Sequence, residues 1–312
     1  MVMAWLYVLW GSFLLYLGGE ILIKSASNLA LALRWSSLLI GLTVVALGTS
    51  APELAATLIA AFKGMEAVAL GNIVGSNIAN VSLVLGAAAL IIPLRPTSRF
   101  VRQELPFMIL TGLILFLVLN DGRLGRAEAL VLFLFLLIFL FVLFRRDHLP
   151  SISSELVPKV KKSKRLFVHI LGIALGVVFL SVGADVLIDG AVILAQRFGL
   201  SQRIIGLTVV ALGTSLPELA STLVAAYRGA GQIILGNLIG SNVMNILAVL
   251  ACTSLIRPLS FPQEKVFLDL SVMMAFFLSC WAMLSFGQGM GRIKGLLALV
   301  LYITYLFFLY HQ

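Results

Sequence analysis

Glu53 and Glu218 are the residues of this chain best suited to chemistry, and each stands in the same setting. One is Gly48-Thr49-Ser50-Ala51-Pro52-Glu53 and the other Gly213-Thr214-Ser215-Leu216-Pro217-Glu218. Both hexapeptides are embedded in apolar sequence. No Lys or Arg lies between 35 and 62 or between 204 and 227 to act as an in-helix counter-ion. An ionised carboxylate at the centre of a bilayer costs about 2.5–3.5 kcal/mol on insertion scales, so such acids come with a partner or a function. A mobile cation is a fitting partner, and two carboxylates balance one divalent ion. Ca²⁺ takes about six to eight oxygens at roughly 2.3–2.6 Å, from carboxylates, amides, backbone carbonyls and water. The sequence offers that set: Glu53 and Glu218, the amides of Asn80 and Asn245, the hydroxyls or carbonyls of Thr49, Ser50, Thr214 and Ser215, and carbonyls freed near Ala46 and Ala211. The absence of His and Cys among them disfavours Zn²⁺ and Cu⁺.

Each half offers a second polar segment, Gly71-Asn72-Ile73-Val74-Gly75-Ser76-Asn77-Ile78-Ala79-Asn80 and Gly236-Asn237-Leu238-Ile239-Gly240-Ser241-Asn242-Val243-Met244-Asn245. Its glycines permit close helix contact. Asn72, Asn77, Asn237 and Asn242 are evenly balanced between interhelical hydrogen bonding and ion ligation. Glu20 and Asp185 read as polar residues at helix ends. An intramembrane enzyme using Ser50 or Ser215 would need a base within hydrogen-bond reach. The three histidines, His148, His169 and His311, fall in the central loop, near a span start and at the C-terminus. No enzyme and no resident cofactor are expected.

The elements that hold these residues follow from composition. The 312 residues are 61% hydrophobic and 11% charged, with mean hydropathy +1.11, whereas soluble domains carry about 25% charged residues. Apolar stretches long enough to cross a bilayer fall near 3–23, 36–62, 67–93, 104–120, 127–144, 166–188, 202–227, 231–256, 266–286 and 294–310. Runs of that length without alternation select helices over a barrel. The expected fold is therefore an all-α polytopic membrane protein of about ten spans. Pro52 and Pro217 lack an N–H and clash with a carbonyl one turn back, so the spans carrying them should be discontinuous. The start, Met1-Val2-Met3-Ala4-Trp5, lacks the basic stretch and cleavage site of a signal peptide and reads as the first mature span. Cys252 and Cys280 read as packing residues.

Residues 41–85 align without a gap onto 206–250 at an offset of 165, with about 28 of 45 positions identical. At the same offset Gly19-Glu20 pairs with Ala184-Asp185. This divides the chain into a first five-span repeat, 1–145, a short basic linker, 146–164, and a second repeat, 165–312. An odd number of spans per half makes the second enter the membrane from the opposite side, an arrangement of transporters with sites near the midplane. The net charge of +9 is the positive-inside signal of a multi-pass protein rather than a nucleic-acid surface. With both termini outside and the linker cytoplasmic, about 15 of the 22 basic residues face the cytoplasm.

At these motifs the sequence resembles the calcium/cation antiporter superfamily, and its sodium/calcium exchanger branch most closely. The resemblance implies exchange of Ca²⁺ for Na⁺, with Glu53 and Glu218 shared between the two ions. It implies shells completed by Thr49, Thr214, Ser50, Ser215, Ser76, Ser241 and the carbonyls of Ala46 and Ala211. It further implies a plasma or inner membrane location and first and sixth spans that slide past the core. The central loop is too short for cytoplasmic Ca²⁺-sensing domains, as in a minimal prokaryotic-type member. The sequence departs from the pattern at Asn245, where characterised exchangers typically carry Asp. With amides at both Asn80 and Asn245, Na⁺ and H⁺ both stay open as the driving ion.

Overall fold

In hydrocarbon, a backbone this apolar can satisfy its N–H and C=O groups only internally. The computed structural model, which describes residues 2–147, 164–198, 213–287 and 289–310, is accordingly helical almost throughout. The first half comprises α1 (Val2–Leu33), α2 (Ser37–Thr49), α3 (Ala51–Phe62), α4 (Glu66–Ile91), α5 (Phe100–Val118) and α6 (Arg126–Asp147). The second comprises α7 (Lys164–Arg197), α8 (Leu216–Tyr227), α9 (Gly231–Ile256), α10 (Gln263–Ser285) and α11 (Arg292–Tyr310). Among the described residues, eight helices are long and apolar enough to cross a membrane, and α2 with α3 make a ninth span broken by a 41° bend. The expected span at 202–227 is described only from Gly213 onward, and most of the 146–164 linker lies outside the described residues.

Two outer helices run well past their apolar stretches. α1 continues to Leu33 rather than ending near 23, and α7 covers Lys164–Arg197 rather than 166–188. Glu20 and Asp185 are therefore interior helix residues, not helix ends. Glu20 is tolerated there because Arg228 pairs with it. At 1.5 Å per residue, the 32 residues of α1 span about 48 Å, more than the roughly 30 Å of hydrocarbon.

The bend between α2 and α3 follows from its residues. Ser50 sits at φ −82°, ψ 3° and Ser215 at φ −87°, ψ 2°, so the two motifs adopt the same backbone. Pro52 and Pro217 then fall in the first turn of α3 and α8, where no N–H is needed. Upstream, the helix closes normally, the Ser36 hydroxyl accepting from the Leu39 N–H at 3.1 Å to cap α2.

Burial separates a core from a ring. The apolar windows of α9 and α4 are 94% and 78% buried, against 17–33% for the six other long spans. Lipid gives no hydrophobic drive for helix association, so close backbone approach must supply it. α2 and α9 cross at Gly41 and Gly236: a Cβ on Gly41 would lie 2.6 Å from the Ile233 carbonyl oxygen, and one on Gly236 2.5 Å from that of Leu38. α4 and α9 each widen to an i→i+5 turn, over Asn80–Val84 and Asn245–Leu250, beginning at equivalent asparagines. Such turns occur frequently at functional sites.

α1 and α7, equivalent under the offset, pack along each other antiparallel. Gly11 lies against Gly183 and Leu187, Gly18 against Gly176 and Leu180, and Gly190 against Ala4. Two short backbone links tie the loops. β1 (Arg123–Leu124) pairs antiparallel with β2 (Leu259–Ser260), and Leu94 exchanges hydrogen bonds with Met290 at 2.9 Å. Adding 165 to Leu94 gives Leu259, and subtracting it from Met290 gives Gly125, one residue past β1. The two links are thus themselves repeat-related.

Candidate cation-binding site

Four elements converge on the middle of the core: the α2–α3 break, the start of α8, and the polar stretches of α4 and α9. Glu53 and Glu218, on the first turns of α3 and α8, are 0% and 1% exposed. They interact electrostatically with each other. The Glu53 carboxylate also neighbours Ser76, and that of Glu218 neighbours Thr49, so each acid faces a hydroxyl of the other half or its own α4. Neither carboxylate makes an ion pair or a closed hydrogen bond among the described residues.

Around them runs a web of amides and hydroxyls that crosses between the repeats. Thr49 donates to Asn237 Oδ1 at 3.4 Å and shares a 3.5 Å hydrogen bond with Ser241, which itself donates to Asn237 Oδ1 at 3.3 Å. On the other side Ser76 meets Thr214 at 3.4 Å, and Thr214 donates to Asn72 Oδ1 at 3.1 Å. Asn72 Nδ2 donates to Thr57 Oγ1 at 3.0 Å and reaches the Glu53 carbonyl at 3.4 Å. Asn245 Nδ2 donates to Asn77 Oδ1 at 3.1 Å.

What remains unpaired is informative. Ser50 Oγ, both oxygens of Glu53, Asn80 Oδ1, Ser215 Oγ, both oxygens of Glu218 and Asn245 Oδ1 are buried without a hydrogen-bond partner among the described residues. A buried polar group left unmade costs about 1–3 kcal/mol, more if charged. Eight such oxygens in one core mark a site that pairs with something other than protein. They are hard donors, four of them from the two carboxylates, in the number and kind a Ca²⁺ or a few alkali cations require.

The structure therefore gathers Glu53, Glu218, Asn80, Asn245, Thr49, Thr214, Ser50, Ser215, Ser76 and Ser241 into one region. Ala46 is a different case. Its carbonyl accepts the Ser50 N–H at 2.9 Å and lies 3.4 Å from the Thr49 hydroxyl, so the proline does not free it. The carbonyl that Pro52 leaves without its usual donor is that of Gly48, four residues back. Ala211 lies outside the described residues. Asn72, Asn77 and Asn237 turn out to be interhelical bridges around the acids. Their signal was present in the sequence, since 72 with 237 and 77 with 242 are matched by the same offset as the glutamates. Arg228, the partner of Glu20, was not singled out from sequence.

Comparison with known proteins fits this geometry. The family model described as sodium/calcium exchanger protein matches residues 3–145 and 168–311. The chain belongs to the sodium/calcium exchanger family. Relatives include the sodium/calcium exchanger MaX1 of Methanosarcina acetivorans, 31% identical over 98% of each chain, and the inner membrane protein YrbG of Escherichia coli, 35% identical over 90% of each. Among solved structures, the sodium-calcium exchanger NCX_Mj soaked with zero Na⁺ and Ca²⁺ is similar over 97% of each chain, at 30% identity and TM-score 0.83. As a member of this family the chain is a multi-pass membrane transporter and not an enzyme, and Ser50 and Ser215 are not nucleophiles.

Proposed function

We propose that this protein is a secondary active antiporter that exchanges Ca²⁺ for Na⁺ by alternating access, both ions using one set of oxygens. The observation that carries this is the pair of buried, mutually facing carboxylates, Glu53 and Glu218, surrounded by unpaired oxygens of Ser50, Ser215, Asn80 and Asn245. Glu53 and Glu218 supply the charge and are shared between the ions. Thr49, Thr214, Ser76 and Ser241 sit beside them and complete the shells. Competition follows from charge, since two carboxylates cannot cheaply hold a divalent ion and a cluster of monovalent ones together. If three Na⁺ exchange for one Ca²⁺, one net charge crosses per cycle, and a 100 mV potential contributes about 2.3 kcal/mol.

The architecture we assign is two inverted five-span repeats, 1–145 and 165–312, with ten spans in all. The antiparallel packing of α1 on its equivalent α7 supports it, as do the repeat-related backbone links. The termini are placed outside and the 146–164 linker in the cytoplasm, following the distribution of basic residues.

Proton coupling is the second reading, and Asn245 motivates it. Its amide is committed to Asn77 where an acid is usual, leaving two carboxylates that no cationic side chain pairs with among the described residues. A carboxylate that releases Ca²⁺ into a dry site can take a proton instead. The test is Ca²⁺ uptake into proteoliposomes, first under an outward Na⁺ gradient and then under a pH gradient without Na⁺, with Glu53→Gln/Glu218→Gln as control. Uptake that needs Na⁺ and vanishes in the control is the expected result. Uptake driven by the pH gradient alone would replace Na⁺ by H⁺, and uptake persisting in the control would reject the site.

A further inference from the structure

The offset that relates Glu53 to Glu218 also relates Glu20 to Asp185 and Lys63 to Arg228. Opposite charges therefore stand in two equivalent couples, Glu20 with Arg228 and Asp185 with Lys63. Only the first is joined. Arg228 Nε donates to Glu20 Oε1 at 3.2 Å and its Nη2 to Glu20 Oε2, linking the middle of α1 to the C-terminus of α8. Among the described residues no ion pair joins Asp185 to Lys63, and both side chains are exposed.

The packing is unequal in the same sense. Gly19, next to Glu20, lies against α8: its Cβ would be 3.0 Å from Val224 Cγ2 and 3.3 Å from the Ala220 carbonyl. α7 makes no comparable run of contacts along α3, the equivalent of α8. Two halves with matching charges thus hold different arrangements, which is what one endpoint of a two-state device presents. The ion pair stands at the end of α8 remote from Glu218, between α1 and the core helix rather than in the site.

We propose that the two couples are alternating latches that set which side the cation site faces. Glu20–Arg228 holds α1 against α8 and closes one face while Asp185 and Lys63 stand apart. When α1 and α7 slide together to the other position, Asp185 engages Lys63 and Glu20 leaves Arg228. This rests on the alternating-access reading above. In the orientation assigned there, the closed latch lies on the cytoplasmic side.

The experiment measures the apparent KM for radioactive Ca²⁺ separately at each face, in proteoliposomes of known protein orientation. A partly exposed ion pair is worth little, so the shifts are modest, about two- to five-fold. Arg228→Gln and Glu20→Gln lower KM at the face their latch closes and raise it at the other, because the open population shifts. Lys63→Gln and Asp185→Asn do the reverse. Exchanging the charges, Glu20→Arg with Arg228→Glu, restores the wild-type ratio. Shifts in the same direction for both couples, no shift, or no rescue by the exchanged pair would overturn the latches. If the wild-type protein shows no coupled exchange, it is the antiport reading that fails; coupled exchange without opposed shifts removes the latches alone.

Discussion

Among the described residues no cationic side chain pairs with Glu53 or Glu218, so what each carboxylate does depends on whether an ion is present. In the wild-type protein, Ca²⁺ bound to the folded state alone raises stability by about 2.7 kcal/mol at a hundred times its Kd. Glu53→Gln and Glu218→Gln should each abolish Ca²⁺ uptake and also erase the Ca²⁺-dependent rise in Tm. They should leave the metal-free Tm unchanged or higher, because a neutral amide replaces a buried like charge. Thermal unfolding with and without Ca²⁺ reads this directly, and a normal Ca²⁺ shift in either variant would remove that acid from the site. These two acids were legible in the sequence because an acid inside an apolar run has few explanations and here occurs twice. The roles of the amides were not legible. Asn77 accepts from Asn245, 168 residues away, and Thr49 donates to Asn237, 188 away, and nothing local in either segment names such a partner.

At the scale of elements, the α2–α3 break is what brings Glu53 to the core. Ser50 leaves helical geometry, and Pro52 denies the Gly48 carbonyl its usual donor, so the chain bends by 41° and α3 starts a fresh first turn in the core. Pro52→Ala restores an N–H four residues from Gly48 and removes the clash. The expected outcome is a protein that folds as well or better, since the Gly48 carbonyl regains a donor, yet exchanges Ca²⁺ at least ten-fold more slowly. Monodispersity and Tm in detergent, set beside initial uptake rates, check both halves of this. Unchanged rates would mean that the bend is held by tertiary packing alone. The break was readable from Gly-Thr-Ser-Ala-Pro-Glu, but helix limits were not. Apolar windows ended α1 near 23 because Glu20 and Lys24 dilute hydropathy there, while the helix continues to Leu33 with Glu20 neutralised by Arg228 from 208 residues away.

The whole molecule divides into a core of α2–α4 with α8–α9 and a crossing pair, α1 and α7, that packs on itself through closely approaching glycines. If α1 and α7 move as one body, fastening them to each other should cost nothing, whereas fastening either to the core should stop the cycle. Positions for both experiments are close enough. A Cβ on Gly172 would lie 3.1 Å from Ser25 Cβ across the α1–α7 contact, and one on Gly19 would lie 3.5 Å from Ser221 Cα across the α1–α8 contact. Disulfides need Cβ atoms about 3.5–4.5 Å apart, which the first pair meets with a slight separation, while the second sets the new Cβ on Gly19 against the Ser221 backbone. Oxidised Ser25→Cys/Gly172→Cys should therefore retain Ca²⁺ exchange, and oxidised Gly19→Cys/Ser221→Cys should lose it and recover it on reduction. Because α1 and α7 are each longer than the bilayer hydrocarbon is thick, a displacement along their axes would keep the hydrocarbon covered, and the membrane itself would offer little resistance to such a motion. Loss of exchange in the first cross-link would show that α1 and α7 must shear against each other, and the pair would then be two gates rather than one.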